Sequence, residues 1–298
     1  MVARPDGGRR VTLLEWLAVL AARAQAFWLR PRTLAFLAGV AGLILVTIAI
    51  EAVSRRNVRR YAAWPVVTDL LYTTFYLAGI YGFLVSGPLY GFLNRWVDAH
   101  VPVVRLALLR EWPPAVQFVV LTVANDGLAY WAHRWLHASP VLWAFHSIHH
   151  SQAVLTPLTN FRFHFLDTLV RSLVVFVPGL LLGPAPAVWL AAGLAVMWLQ
   201  LLAHADLDWH FGPLERVLVS PRFHSLHHSV DPALSDRNFG FVFSVWDFLF
   251  GTALAGPRRA AVYGVAGLRV PEGFVRQLAF PFALVARRLA RPAVREAP

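Results

Sequence analysis

The sequence predicts an all-α protein that crosses a membrane with several helices. The 298 residues are 58% hydrophobic, and the mean hydropathy of +0.55 lies above that of ordinary soluble domains. Several apolar stretches approach the roughly 20 residues that a helix needs to cross a bilayer. Glycine and proline separate these stretches, as is typical of helix boundaries. Composition, stretch length and breaker positions therefore agree on a multi-pass membrane protein.

Four apolar regions follow one another along the chain. Residues 33–53 predict the clearest spanning helix. Residues 66–94 are interrupted by glycine and proline and predict either one bent helix or a short hairpin. Residues 115–137 predict one helix that starts apolar, crosses the membrane over 115–132 and ends rich in histidine. Residues 167–205 predict two helices that leave and return on one side around a Gly-Pro-Ala-Pro turn.

Amphipathic stretches near both ends of the chain complete this organisation. Residues 11–28 and 274–291 are predicted to lie on the membrane surface. The chain is thus expected to contain N-terminal interfacial and transmembrane helices (1–112), a histidine-rich domain (113–254) and a basic amphipathic tail (255–298).

The charge distribution favours a membrane over nucleic acid as the partner. The formal net charge is +11, and arginines cluster at the ends of apolar segments, notably within 55–60 and 287–295. This placement is typical of cytoplasmic flanks that face anionic lipid. No nucleic-acid-binding module is visible, so nucleic-acid binding is not expected. The absence of cysteine excludes disulfides and thiolate metal ligands.

Histidine is concentrated in two segments that share a motif. Five of the twelve histidines fall within residues 133–150, where HRWLH places His133 and His137 one turn apart on a helix face. FHSIHHS at 145–151 returns as FHSLHHS at 223–229, and each copy follows a Ser-Pro pair that suits a helix start. Each copy presents three imidazoles on one helix face, His146, His149 and His150 in the first and His224, His227 and His228 in the second.

These eight imidazoles predict two metal ions, since a common site takes about four to six ligands. Imidazole suits zinc, copper, nickel and iron. The hydrolase motif HExxH, in which a glutamate acts as base, is not found. Two redox-capable ions at the edge of a membrane suggest activation of dioxygen. A zinc-dependent membrane hydrolase and a non-enzymatic metal transporter stay as alternatives, although transporters usually place their ligands at the bilayer midplane within broken helices.

The three histidine motifs resemble those of a known family. HRWLH, HSIHH and HSLHH are similar to the HxxxH, HxxHH and HxxHH boxes of the fatty acid hydroxylase and sterol desaturase superfamily of integral-membrane di-iron oxygenases. NFRFHFLD at 160–167 and DRNFGFVFSVWDFLFGT at 236–252 extend the resemblance, which covers about residues 115–252. It implies membrane helices with a cytosolic-side histidine-rich helical cap. It also implies two iron ions, O2 as co-substrate, and hydroxylation or desaturation of a C–H bond in a lipid such as a sterol or a fatty acyl chain.

The same resemblance adds candidate metal ligands. His204 is a ninth candidate, although this chain has His-Ala-Asp where members often have His-x-Asn, and Asp206 is for that reason a doubtful one. His164 occupies the Arg-x-His position and is expected to bind a metal or to contact a ligand. No catalytic residue beyond the metal centre is predicted.

Acidic residues are expected to contact the histidine ring nitrogens that do not bind metal. Neutral imidazoles cancel none of the charge of two cations, and metal-bound histidines usually donate their second N–H to a carboxylate or carbonyl. Asp126 lies seven residues before His133 on the same helix face and is predicted as such a partner. Asp206, Asp231 and Asp236 are further candidates.

Partners and location follow from the resemblance and the charge pattern. A membrane lipid is the expected substrate. No His-Pro-Gly-Gly haem motif of a fused cytochrome b5 domain occurs, so a separate electron donor, such as a ferredoxin, a protein of cytochrome b5 type or a reductase, is expected. Every basic residue is arginine, which indicates a GC-rich and therefore bacterial genome. The predicted location is a bacterial inner membrane with the histidine boxes on the cytoplasmic side.

Overall fold

The computed structural model describes residues 29–55, 58–254 and 259–290, together with Glu15, Ala22 and Ala26. The predicted interfacial helix over 11–28 lies almost entirely outside these residues. Within them the protein is helical and contains no β-strand. The predicted all-α fold class is confirmed.

Ten α-helices lie within residues 29–55, 58–254 and 259–290. They are α1 (Pro31–Arg55), α2 (Trp64–Leu77), α3 (Gly87–His100), α4 (Pro114–Ala138), α5 (Pro140–His150), α6 (Phe165–Leu182), α7 (Pro186–His204), α8 (Pro221–His227), α9 (Val245–Leu249) and α10 (Phe274–Ala290). Short 3-10 turns at Val58–Ala62, Pro102–Val104, Pro157–Phe161 and Gly212–Arg216 lie in the connections. The histidine boxes therefore fall on α4, α5 and α8.

Three of these helices, α1, α6 and α7, are long and apolar enough to cross a membrane. The region predicted as a bent helix or hairpin is a broken helix, in which α2 and Gly82–His100 meet at 49° and could together form a fourth span. Helix α4 forms as predicted but does not belong to this set, which corrects the expected span over 115–132. Its buried face carries Gln117, Thr122 and Asp126, so its polar residues face the protein and lower its hydropathy.

The Ser-Pro pairs start helices as the sequence predicts. The hydroxyl of Ser139 accepts a hydrogen bond from the backbone N–H of Leu142 at the start of α5. The hydroxyl of Ser220 accepts one from Phe223 at the start of α8. In both helices proline occupies the first position, where its missing N–H is not needed. Each histidine motif thus begins from the same capped turn.

One end of the three spans carries the histidine-rich segments. Arg55, the last residue of α1, lies 3.5 Å from Asp206, which follows the end of α7. Asp167, in the first turn of α6, lies 2.7 Å from His146 on α5. The C-terminal ends of α1 and α7 and the N-terminal end of α6 therefore meet at the same face, where the connections carry α5 and α8.

The amphipathic helix predicted in the tail is α10. Its first residue, Phe274, packs edge-on against Tyr72 of α2 with ring centroids 4.7 Å apart. The carbonyl oxygen of Leu278 accepts a hydrogen bond from Nε2 of His164. One face of α10 therefore holds the histidine-rich part of the chain against α2. Its placement on a membrane surface stays a prediction.

Candidate metal centre

Nine histidines converge in two adjacent groups, and these are the eight box histidines and His204. The five-histidine group contains His133, His137, His146, His150 and His227. The four-histidine group contains His149, His204, His224 and His228. Within each group the candidate ligand nitrogens all lie within 4.8 Å of one another. Among the described residues, these are the groups of histidine and acidic side chains arranged to hold a metal ion.

Each repeated box serves both groups. In the first HxxHH box the outer pair, His146 and His150, joins the five-histidine group, and His149 joins the other. In the second box the outer pair, His224 and His228, joins the four-histidine group, and His227 joins the other. The two copies therefore divide their histidines between the groups in opposite ways. A repeated motif in the sequence becomes a pair of helices that together line two neighbouring sites.

The nitrogen separations fit ligands that share an ion. Two imidazoles bound at about 2.1 Å lie about 3.0 Å apart at a right angle and about 3.4 Å apart at the tetrahedral angle. In the four-histidine group Nε2 of His204 lies 3.2 Å from Nε2 of His149 and 3.1 Å from Nε2 of His224, which in turn lies 3.1 Å from Nε2 of His228. In the five-histidine group Nε2 of His133 and His146 are also 3.1 Å apart. These are distances at which one cation can bridge the lone pairs.

Hydrogen bonds fix the tautomers of four histidines of the five-histidine group. Nδ1 of His133 donates to the carbonyl of Phe239, and Nδ1 of His227 donates to the carbonyl of Arg237. Nδ1 of His137 donates to Asp236, and Nδ1 of His146 donates to Asp167. Because these oxygens only accept, the proton lies on Nδ1 and the lone pair lies on Nε2. Nε2 of His137, His150 and His227 is buried without a hydrogen-bond partner. Buried acceptors left open in this way suit a metal cation.

The histidines are neutral at ordinary pH. Burial lowers the pKa values of His149, His150, His224, His227 and His228 well below the usual value, and neighbouring histidines add to the effect. An imidazolium there would lose its hydration and repel the other rings. Neutral imidazole is the form that binds metals, so the apoprotein holds its ligands ready to bind.

The comparisons with known proteins agree with this geometry. Residues 118–252 match the fatty acid hydroxylase family. Over 180 residues the chain is 39% identical to an ornithine lipid hydroxylase of Rhizobium tropici. This alignment covers 60% of this chain and 54% of the relative. It is 32% identical over 136 residues to the alkylglycerol monooxygenase of Homo sapiens, covering 46% of this chain and 30% of the relative.

A sterol enzyme is related over the same region. A Δ7-sterol 5(6)-desaturase of Gibberella zeae is 29% identical over 141 residues, covering 47% of this chain and 38% of the relative. The histidine-rich region of the chain is thus similar to members of the fatty acid hydroxylase and sterol desaturase superfamily. The predicted resemblance is confirmed, and the matched residues include all nine grouped histidines. The chain covers about half or less of the length of these relatives. No solved structure matches the chain.

Asp167 is a contact of the five-histidine group that the sequence did not single out. Its carboxylate is fully buried and lies 2.7 Å from Nδ1 of His146 and 2.8 Å from Nε of Arg171. The guanidinium of Arg171 in turn lies 3.8 Å above the ring of Phe163, which stacks on His149. A carboxylate in the first turn of an apolar helix was the available signal, but helix starts favour acidic residues for their own sake.

Other candidate residues lie outside both groups. His164 uses both ring nitrogens elsewhere, because Nδ1 accepts the backbone N–H of Leu166 and Nε2 donates to the carbonyl of Leu278. Asp206 forms ion pairs with Arg55, Arg60 and Arg259. Neither residue contacts a grouped histidine through a hydrogen bond. Their positions make them links between helix ends and the tail.

Asp126 holds a loop rather than a histidine. Its carboxylate accepts hydrogen bonds from the backbone N–H groups of Val242 and Phe243 and from the indole of Trp246. The same loop contains Phe239, whose carbonyl accepts from His133. The expected direct bond between Asp126 and a metal ligand is not found, and its contact with the five-histidine group runs through the loop. Of the further candidates, Asp236 contacts His137, whereas Asp231 caps the turn at Ala233.

Asp126→Asn is expected to lower the stability of the protein. An amide can accept one of the backbone hydrogen bonds but turns its NH2 group toward another donor, which costs about 1–3 kcal/mol. Thermal unfolding in detergent measures the change. The control is Asp208→Asn, because the side chain of Asp208 is about half exposed and pairs with Arg222, so loss of the ion pair costs about 1 kcal/mol or less. Equal unfolding midpoints for the two variants would contradict the role given to Asp126.

Proposed function

We propose that the protein is an iron-dependent membrane oxygenase that hydroxylates or desaturates a C–H bond of a lipid, using O2 and electrons from a separate donor. The observation that carries the proposal is the pair of adjacent groups in which nine histidines, eight of them buried and His137 partly buried, bring their ring nitrogens within 4.8 Å of one another. These residues lie at one end of apolar helices, where a lipid is within reach. Related proteins are named as a lipid hydroxylase, a monooxygenase and a sterol desaturase.

The donor set fits two iron ions. Five and four imidazoles leave about one and two positions open in octahedral coordination. When bound, two irons supply redox chemistry toward O2 that no side chain can perform. The proposed ligands of the first ion are His133, His137, His146, His150 and His227, and those of the second are His149, His204, His224 and His228.

The chain's own contribution is to position these ligands and to exclude water. Phe239 packs against His133, His137 and His227, and Phe241 packs against His133. Phe163 stacks on His149 at 4.5 Å. A wall of aromatic rings keeps the local dielectric constant low and protects reactive species from side reactions with water. A lipid segment entering from the spans would meet apolar rings beside the metal ligands.

A zinc hydrolase is the weaker alternative. Such enzymes place a carboxylate base beside an open metal position, and neither histidine group includes a carboxylate. Asp167 and Asp236 contact the outward Nδ1 atoms, so they are turned away from the ion positions.

A transporter is also less well supported. Transport sites lie near the membrane midplane inside broken helices. The one broken pair in the described residues, α2 with Gly82–His100, carries none of the nine histidines.

We propose that the centre faces the cytoplasm of a bacterial inner membrane. Arg55, Arg59 and Arg60 stand at the same helix ends as the histidine groups, and arginines beside spans favour the cytoplasmic side. A soluble ferredoxin, a protein of cytochrome b5 type or a reductase could reach the centre there and supply electrons.

Lipid profiling with metal analysis tests the proposal. Cells that express the protein are expected to contain a lipid that has gained one oxygen atom or lost two hydrogen atoms relative to cells without it. The purified protein, reconstituted with Fe²⁺ without oxygen, is expected to hold two irons per chain. Two tightly held zinc ions with oxygen-independent turnover would favour the hydrolase. An unchanged lipid profile together with metal uptake into vesicles would favour the transporter.

A further inference from the structure

The two histidine groups differ in the hydrogen-bond partners of their Nδ1 atoms. In the five-histidine group, four of five Nδ1 atoms donate to protein oxygens, and two of those oxygens belong to Asp167 and Asp236. In the four-histidine group only His204 has such a partner, the carbonyl of Gln200. Nδ1 of His149, His224 and His228 is buried with no hydrogen-bond partner in the described residues. Hydrogen bonds to Nδ1 therefore fix most rings of the five-histidine group, whereas most rings of the four-histidine group lack such a bond.

Asp167 makes the strongest of these outer contacts. The carboxylate and His146 are both fully buried, and their 2.7 Å separation is that of a charge-assisted hydrogen bond. Arg171, one turn further along α6, balances the negative charge at 2.8 Å. Such a carboxylate fixes the ring orientation and makes Nε2 a stronger donor to a cation. Asp236 does the same for His137 from a more exposed position, with 74% of its side chain accessible.

The backbone of the loop at 236–239 supports the difference between the groups. Asp236 and Asn238 adopt left-handed conformations with φ of 55° and 57°, which aspartate and asparagine adopt more readily than other residues with a Cβ atom. These conformations flank Arg237, whose carbonyl accepts from His227, and precede Phe239, whose carbonyl accepts from His133. The side chain of Asn238 is held by Phe223 and Leu254. The loop is thus built to direct two carbonyls at the five-histidine group.

We propose that Asp167, backed by Arg171, makes the five-histidine group the tighter metal site, so that the chain fills this site first and empties it last. The five-histidine group has one more ligand than the other group, and it alone has carboxylates hydrogen-bonded to its ligands. Both differences are expected to strengthen metal binding there. Asp167 is a positioning residue, since it acts on the ion through His146. The inference rests on the proposed metal centre but not on its chemistry.

The order of binding can be measured with each site isolated in the full chain. His224→Ala leaves three imidazoles in the four-histidine group and keeps the other group intact, and the double variant His133→Ala/His150→Ala does the reverse. Apoprotein in detergent is titrated with Fe²⁺ under argon against a chromogenic chelator. The site in the His224→Ala chain is expected to bind at least about 10-fold more tightly than the site in the His133→Ala/His150→Ala chain. Equal affinities, or the opposite order, would overturn the proposal.

Asp167→Asn then tests the residue itself. In the His224→Ala chain it is expected to weaken Fe²⁺ binding by about 10–100-fold, and in the His133→Ala/His150→Ala chain it should change nothing. Asp69→Asn is the matched control, because Asp69 is equally buried in an apolar helix and pairs with Arg162 at 2.7 Å but contacts no grouped histidine. A general effect of losing a buried carboxylate would weaken both sites in both variants, and that result would reject the role of Asp167.

Asp236→Asn provides a second test of the proposal if the Asp167→Asn variant does not fold. Its exposed side chain can be changed without loss of packing. It is expected to weaken Fe²⁺ binding in the His224→Ala chain by a smaller factor than Asp167→Asn, with no change in the His133→Ala/His150→Ala chain. Unaltered binding in both chains would count against outer carboxylates as the cause. Because the readout is Fe²⁺ affinity, it is independent of whether any lipid is oxidised, so it can fail while the proposed oxygenase function stands.

Discussion

His149→Ala and His150→Ala are each expected to weaken the binding of one metal ion per chain, but not of the same ion. The residues are neighbours in sequence, yet His149 belongs to the four-histidine group and His150 to the five-histidine group. Lipid oxidation is expected to fall by at least about 100-fold in both variants, more than loss of an outer partner usually costs. Elemental analysis and lipid turnover with a fixed electron donor measure the two effects.

The control for this pair is His164→Asn. His164 is as fully buried as the grouped histidines but uses Nδ1 to cap α6 and Nε2 to contact α10. Asparagine can still cap the helix, so both ions and the activity are expected to remain, with a modest loss of stability at the α10 contact. Loss of a metal ion in His164→Asn, or unchanged affinity for both ions in either alanine variant, would refute the assignment of ligands to groups.

Much of the site could be predicted because helix geometry is local. The i, i+4 spacing of His133 and His137, and the Ser-Pro pair before each HxxHH box, depend only on residues within two turns. His204 was added through the family motif, and it lies in the four-histidine group. These predictions needed no knowledge of how the helices pack.

The division of ligands between two ions could not be predicted in the same way. In a helix of 3.6 residues per turn, His149 and His150 point about 100° apart, which permits one shared site or two adjacent ones. The packing of α4, α7 and α8 decides between these. Asp167 reaches His146 from 21 residues away, and its position in the sequence resembles an ordinary helix start. Asp126 fits the periodicity of its helix face, but the N–H groups that it binds come from 116 and 117 residues further along the chain.

Gly240→Ala is expected to unfold the loop that supports the five-histidine group. A Cβ atom at this position would lie 2.6 Å from the carbonyl oxygen of Phe243 and 2.9 Å from the carboxylate of Asp247. Both neighbours are held, since Asp247 binds the backbone N–H groups of Phe239 and Gly240. The backbone must therefore shift, at a cost of about 1–3 kcal/mol for overpacking with the loss of hydrogen bonds added. Thermal unfolding in detergent measures it.

The metal content of Gly240→Ala distinguishes a local from a global effect. The carbonyl of Phe239 fixes the tautomer of His133, so a shifted loop is expected to release the ion of the five-histidine group while the other ion stays. Gly42→Ala is the control, because no heavy atom lies within 4 Å of its new Cβ and alanine favours a helix. That variant is expected to be as stable as the parent or more stable. If Gly240→Ala matched it in unfolding midpoint and kept both ions, the loop would not be the element that holds His133 in place.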